Sequence, residues 1–171
     1  MRPHHDNKHR SWSRSVHYPM LEPARIGLPV DLSGLTKLSR MANTPDPGDF
    51  YQVSRVVLMP SLSRESLGRV AIEAMANGIP VLASDRGALP ETLGDAGFVF
   101  TIPDRCTPTS GVVPTAHEIA PWVAVIERLW DDTEFEAEHR RRALAQVKRW
   151  DSDTLAQQYE ELFLSRCIQR Q

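Results

Sequence analysis

The clearest pattern in the chain is a pair of short apolar runs with a helical pattern between them. Residues 56–59 (Val-Val-Leu-Met) form an unbroken apolar run, as expected of a parallel strand buried on both faces. Pro60 and Ser61 stop that strand. Residues 67–76 carry good helix formers, and Asn77-Gly78 supplies the left-handed residue that ends helices. Residues 80–84 (Pro-Val-Leu-Ala-Ser) read as a second apolar strand. Strand, crossover helix and strand in so few residues predict a right-handed parallel unit. The loop 61–68 then lies at the carboxyl edge of the sheet and opens a helix. Open α/β sheets bind ligands at that edge, and helix N-termini favour phosphate. At ~100° per residue, Leu67, Val70, Ala71 and Ala74 share the predicted inward face, with Glu73 turned roughly 200° from Ala71.

Weaker patterning flanks this unit. Residues 35–41 predict a strand interrupted by Lys37 and Arg40, and 43–48 (Asn-Thr-Pro-Asp-Pro-Gly) predict a turn. Residues 49–54 predict a short helix with Phe50, Tyr51 and Val53 packing on the sheet. Beyond the unit, 87–93 read as a short helix, 97–102 as a strand and the Pro- and Thr-rich 103–114 as a surface loop. Three helices follow. Ile119, Trp122, Val123, Ile126, Leu129 and Trp130 keep a 3–4 spacing, with Pro121 tolerable only in a first turn. Residues 134–148 are charged on most faces, with Phe135, Leu144 and Val147 predicted inward. Residues 150–153 break that helix and cap a last one over 154–167, for which Leu155, Tyr159, Leu162 and Phe163 are the expected buried stripe. No internal repeat is present.

Composition adds bounds. A chain of 171 residues suffices for one good core and seldom for two. A net charge of −2 gives no general pull toward nucleic acid or anionic membrane. No apolar run approaches the ~18–20 residues that span a bilayer, and the first 18 residues lack the apolar segment of a secretory signal. Cys106 and Cys167 form no C-x-x-C pair and imply no disulfide framework. The expected location is the cytoplasm. Residues 1–29 hold His4, His5, His9 and His17 among polar residues without a cysteine or carboxylate set to complete a metal site, and read as a disordered extension. The folded part is expected over 30–171.

Two glutamates frame the central helix, Glu65 in the loop before it and Glu73 eight positions on. The ordered string Pro60-Ser61, Glu65-Ser66-Leu67-Gly68, Glu73-Ala-Met-Ala-Asn-Gly78-Ile-Pro-Val continues through Ala83-Ser84-Asp85-Arg86-Gly87, Pro90-Glu91 and Gly94-Asp-Ala-Gly97. It resembles the E-x7-E signature of retaining GT-B glycosyltransferases (glycosyltransferase family 4, glycosyl transferases group 1), over roughly 32–163. Two glutamates eight apart are common; the whole string is specific. The resemblance implies an α/β fold, a partial Rossmann-like GT-B donor domain with a parallel sheet flanked by helices and a C-terminal helical segment. It implies transfer of a sugar from a nucleotide-diphosphate sugar to an acceptor hydroxyl with retention, of hexosyltransferase type, without a cofactor or metal ion. Glu65 would be the catalytic residue, contacting the donor sugar near the reacting centre. Ser66, Leu67, Gly68, Arg69, Val70 and Glu73 would bind the nucleotide sugar, with Glu73 on the ribose. Chemistry agrees: backbone N–H groups at a helix start suit phosphate, Gly68 admits a ligand without a Cβ, and carboxylates suit sugar hydroxyls. Leu67 stands where the family usually has an aromatic, and Ser66 where a Gly is common.

Plainer readings stand beside these. Arg69 and Glu73 are i and i+4 on one helix and suit an ordinary ion pair. Glu65 suits a helix start on charge alone. Ser61 and Ser66 read as caps, since no G-x-S-x-G elbow is present. Arg86 is a candidate for phosphate or sugar, or is solvated; Glu91 reads as packing or capping, and His117 and the cysteines as structural. Family enzymes bind acceptor in a preceding domain, and their diphosphate-gripping Arg and Lys precede this stretch. The chain is therefore expected to supply part of a donor site and to be inactive alone. The alternatives are a non-catalytic remnant or binding module and another GT-B enzyme such as a sugar-nucleotide epimerase, the latter disfavoured by the glutamates. No G-x-G-x-x-G or P-loop is present.

Overall fold

Two short strands come first in the chain, β1 (Val16–Pro19) and β2 (Leu38–Met41), paired in parallel with Val16 opposite Leu38. Strand β2 falls inside the predicted 35–41, whereas β1 occupies part of the segment read as an extension. This computed structural model describes residues 45–168 together with those two strands. The remaining residues of 1–29, and the expected 29/30 boundary, lie outside the described residues. By internal contacts the chain divides into two units, Met1–Phe50 and Tyr51–Gln171. The strands belong to the first, and the rest of this description concerns the second.

Helix α1 (Gly48–Gln52) leads into β3 (Val57–Met59), α2 (Arg69–Ala76), β4 (Val81–Ser84), α3 (Leu89–Leu93), a 3₁₀ turn at Gly94–Ala96 and β5 (Phe98–Phe100). The strands form one parallel sheet in the order β3-β4-β5, Val57 opposite Val81 and Leu82 opposite Phe98. Sequential neighbours joined by helical crossovers are what the apolar runs around Pro60 and Pro80 predict. In β4, paired on both sides, Val81, Leu82, Ala83 and Ser84 are fully buried. Strand β3 departs from its reading as a strand buried on both faces. Among the described residues it pairs only with β4, and Leu58 is 45% exposed. An edge strand lacks the neighbour that would complete the cover of its side chains.

The two faces of β4 carry different packing, because successive side chains point opposite ways. Leu82 lies in a cluster with Ile102, Cys106, Trp122 and Leu129, joined by Phe98 and Phe100. Helix α4 (Ala116–Asp131) covers that cluster, and Trp122 stacks on Phe100 at 4.6 Å between ring centres. On the helix between β3 and β4 the buried positions are Ala71, Ala74 and Met75, a 3–4 stripe. Leu67 and Val70, predicted inward with Ala71 and Ala74, are 38% and 44% exposed. The small Ala side chains let α2 lie close to the sheet, and its stripe is rotated toward Met75.

The C-terminal helices correct the sequence reading more. Helix α4 begins at Ala116, a turn earlier than its apolar stripe indicates, because Thr115 and Glu118 form a capping box. That start places Pro121 in the second turn and leaves Ile119 and Val123 over 40% exposed. In α5 (Thr133–Gln146) the inward positions are His139 and Ala143, while Leu144, predicted inward, is 46% exposed. His139 stacks on Phe98 (4.5 Å) and meets Phe135 in a tilted contact (4.2 Å), and its Nδ1 lies 2.8 Å from the Phe135 carbonyl. Arg55, entering β3, donates to the Leu129 carbonyl (2.9 Å) and to Glu136 (2.8 Å) and lies over the Trp130 ring, tying the sheet to the α4–α5 junction. A 3₁₀ turn at Val147–Trp150 leads to α6 (Ser152–Ile168), where the expected buried stripe fails: Tyr159, Leu162 and Phe163 are 60%, 49% and 66% exposed. Among the described residues, no helix is long and apolar enough to cross a membrane.

Candidate functional site

The loop 61–68 leaves the carboxyl end of β3 and enters α2, and three separate contacts hold its backbone. The Ser84 hydroxyl, at the end of β4, donates to the Ser61 carbonyl (2.8 Å). The Ala88 N–H donates to the Glu65 carbonyl (2.9 Å), and Glu65 pairs with Gly87 as a parallel bridge. The fully buried Thr92 hydroxyl, on α3, donates to the Leu67 carbonyl (2.5 Å). A loop so fastened is a preorganised platform rather than a flexible connection.

Glycine is required where these contacts converge. Gly87 has φ 68°, and a Cβ there would lie 2.2 Å from the Glu65 carbonyl oxygen and 2.5 Å from its nitrogen. Only a residue without a side chain lets the two loops pass this closely. Gly68 has φ 76° and ψ 52° and forms the N-cap of α2, where no side chain supplies the capping bond. The N–H groups of Ala71 and Ile72 both bond to the Gly68 carbonyl. Helix geometry leaves the N–H groups of Arg69 and Val70 directed out of the first turn, the partial positive end of the dipole. Leu67, counted as helical from the sequence, lies before the cap with its carbonyl turned to Thr92. Neither Ser61 nor Ser66 is a helix cap. Ser66 is exposed, and the Ser61 hydroxyl donates to Glu65 Oε1 at 2.8 Å.

The carboxylates therefore sit in defined surroundings. Glu65 is half-buried and oriented by Ser61. Glu73, in the second turn of α2, has a side chain 32% exposed and two partners. Arg69 Nε lies 3.1 Å from Oε1, so the i,i+4 pair read from spacing is present, though the Arg69 side chain is 85% exposed. The second partner is Tyr51, whose hydroxyl donates to Oε2 at 2.9 Å and reaches the Val70 carbonyl at 3.4 Å. Burial, first, and then the hydrogen bond and charge of Glu73 push the Tyr51 phenol far above its ordinary value, against a smaller pull from Arg69. It stays a neutral donor across the physiological range.

Sequence reasoning placed Tyr51 on the sheet and missed its hydroxyl; a contact across 22 residues leaves no local trace. Gly87 reads in the sequence as the start of a short helix over 87–93, which begins instead at Leu89, and the approach of Glu65 leaves no local trace. Arg86 is held by protein groups rather than simply solvated, its side chain 23% exposed. Its Nη2 donates to the Ile102 carbonyl (2.8 Å), and Nη1 meets Asp104 (3.3 Å), tying the loop after β4 to the loop after β5. Glu91 is in the first turn of α3 and pairs with Arg149 at 3.3 Å. Among the described residues no three His, Cys, Asp or Glu side chains cluster as a metal site would require.

Known proteins are similar to this chain in sequence and in fold. The chain is 36% identical over 87 residues to D-inositol 3-phosphate glycosyltransferase of Corynebacterium kroppenstedtii, covering 51% of this chain and 16% of that protein. It is 32% identical over 108 residues to the protein of the same name from Streptomyces avermitilis, covering 63% and 20%. It thus spans about a fifth of these relatives' length. Among solved structures, Anabaena Alr3699/HepE in complex with UDP-glucose is similar at 26% identity with a TM-score of 0.59, over 78% of this chain and 34% of that one. The GtfA/B complex is similar in fold, with a TM-score of 0.68 at 15% identity, over 88% and 29%. The parallel sheet flanked by helices is accordingly a partial Rossmann-like fold of the GT-B kind. Residues 36–147, more than half of the sequence and the whole of the site just described, match the family described as Glycosyl transferases group 1, and the chain belongs to that family.

Proposed function

We propose that this chain supplies part of the donor site of a retaining glycosyltransferase, which passes a hexosyl group from a nucleotide-diphosphate sugar to an acceptor hydroxyl in the cytoplasm. The observation that carries the reading is the uncapped N-terminus of α2 at the carboxyl edge of a parallel sheet, preceded by Glu65 and followed by Glu73. The UDP-glucose bound to the similar Anabaena protein supports the class of ligand. In this reading the diphosphate lies against the N–H groups of Arg69 and Val70, where the helix dipole offsets its charge. Glu73 accepts from the ribose hydroxyls, and Glu65, held by Ser61, faces the donor sugar. In the reaction the acceptor oxygen bonds to the anomeric carbon as the bond from that carbon to the phosphate oxygen breaks. The diphosphate leaves with the electron pair and takes up the acceptor proton. The donor site's charge complementarity favours that departure.

Calorimetry on the purified chain with UDP, GDP and ADP tests the reading. One of the three is expected to bind, and Glu73→Gln should weaken it at least tenfold, about 1.4 kcal/mol or more, because a charge-assisted pair of hydrogen bonds is lost. Thermal stability should change little, since the carboxylate is one-third exposed. Binding of none of them, or a loss reproduced in full by Arg69→Ala, would leave the ion pair as the glutamate's whole role.

A further inference from the structure

We infer that Tyr51 is a positioning residue for Glu73, setting the carboxylate so that it can receive two ribose hydroxyls together. This deepens the donor-site reading and rests on it. The two partners of Glu73 differ in what they can do. Arg69 lies on the same helix with its side chain 85% exposed, so water and salt compete for its pairing and its own rotamers are free. Tyr51 is 6% exposed, on the helix that precedes β3, and its ring is fixed by burial. Its hydroxyl bridges the Val70 carbonyl in the first turn of α2 and Glu73 Oε2 in the second. A buried, rigid donor on a separate element fixes the plane of the carboxylate; an exposed arginine does not.

The chemistry of the carboxylate makes this matter. A carboxylate offers about four lone-pair positions, and Tyr51 occupies one of them. On Oε1 one position faces the exposed, displaceable Arg69 guanidinium and the other is open to a ligand hydroxyl. Vicinal hydroxyls need a carboxylate already in the right plane, because ordering a mobile glutamate on binding costs rotamer entropy. The donor is also one that cannot take the charge away. A phenol this buried beside a carboxylate keeps its proton and remains a hydrogen-bond donor to Glu73.

The role shows itself as a loss that depends on the ribose. Tyr51→Phe keeps the ring and removes only the hydroxyl. Calorimetry would compare wild type and variant with whichever of UDP, GDP or ADP binds, and with its 2′,3′-dideoxy counterpart, alongside melting temperatures. Tyr51→Phe is expected to weaken the ribonucleotide by about three- to tenfold, the range of one hydrogen bond and one ordered side chain, and the dideoxynucleotide less than twofold. Added to Glu73→Gln it should cost no more than Glu73→Gln alone. Equal weakening of both nucleotides, additivity with Glu73→Gln, or no weakening would overturn the inference while leaving the donor-site reading in place. Absence of binding by the wild-type chain would overturn both.

Discussion

At the scale of single residues, close backbone approach is the most exposed part of this design. Gly87 combines a positive φ with a Cβ position 2.2 Å from the Glu65 carbonyl oxygen, and that oxygen is backbone. Gly87→Ala cannot be relieved by a side-chain rotation, so one of the two loops must move. We expect a cost of at least ~2 kcal/mol, hence a melting temperature lower by roughly 5 °C or more, from the strained φ and the clash together. Calorimetric scanning checks this, and an unchanged melting temperature would show that the Glu65–Gly87 bridge is not held in solution. Thr92 is a milder case. Thr92→Val keeps volume but leaves the Leu67 carbonyl without its donor, which should cost about 1–3 kcal/mol by chemical denaturation. If the loop instead turns that carbonyl to water, the cost will fall below the range.

At the scale of elements, the helices differ in what holds them. Helix α4 starts with a reciprocal cap: the Glu118 N–H reaches the Thr115 hydroxyl, and the Glu118 carboxylate accepts from the Thr115 N–H at 2.8 Å. Arg105 donates to both oxygens of the same carboxylate (2.7 and 2.5 Å), and its hydrogen bonding, first, together with that from Thr115 lowers the Glu118 pKa to about 2. A depressed folded-state pKa stabilises above the unfolded value, here 4.5, and that contribution fades as pH falls toward 2. The melting temperature of the wild type should therefore drop between pH 4.5 and 2 by more than that of Glu118→Gln. Parallel curves would mean that the exposed pair adds nothing in solution. Helix α6 lacks comparable support. Residues 156–166 are all exposed, its apolar side chains among them, whereas β4 is fully buried. Hydrogen exchange should find α6 opening at far lower free energy than β4, because local stability follows buried contact. Protection equal to that of β4 would reveal a partner for Leu162 and Phe163, a second copy included.

For the molecule as a whole, activity is a question of what these 171 residues can do by themselves. The described unit contains the sheet edge, the helix start and both glutamates. Incubated with UDP-, GDP- and ADP-sugars and varied acceptors, the purified chain is expected to bind donor and release no glycosylated product, and repeated turnover would overturn that expectation. From β2 onward the order of strands and α-helices was determined by sequence alone. Unbroken apolar runs ending at Pro60 and beginning after Pro80, with Gly78 between them, admit little but a parallel strand–helix–strand unit. The same local signals placed Glu65 before a helix start and Glu73 on it. Only the tertiary structure decided which apolar residues are covered. Leu58, Leu144 and Phe163 are as apolar as Leu82 and Leu129, but burial depends on what packs against them, and periodicity carries no information about that. It also decided the partners of the site. Tyr51 with Glu73, Thr92 with Leu67 and Gly87 with Glu65 join positions some twenty residues apart, and such contacts follow from how strands and helices are stacked rather than from any spacing along the chain.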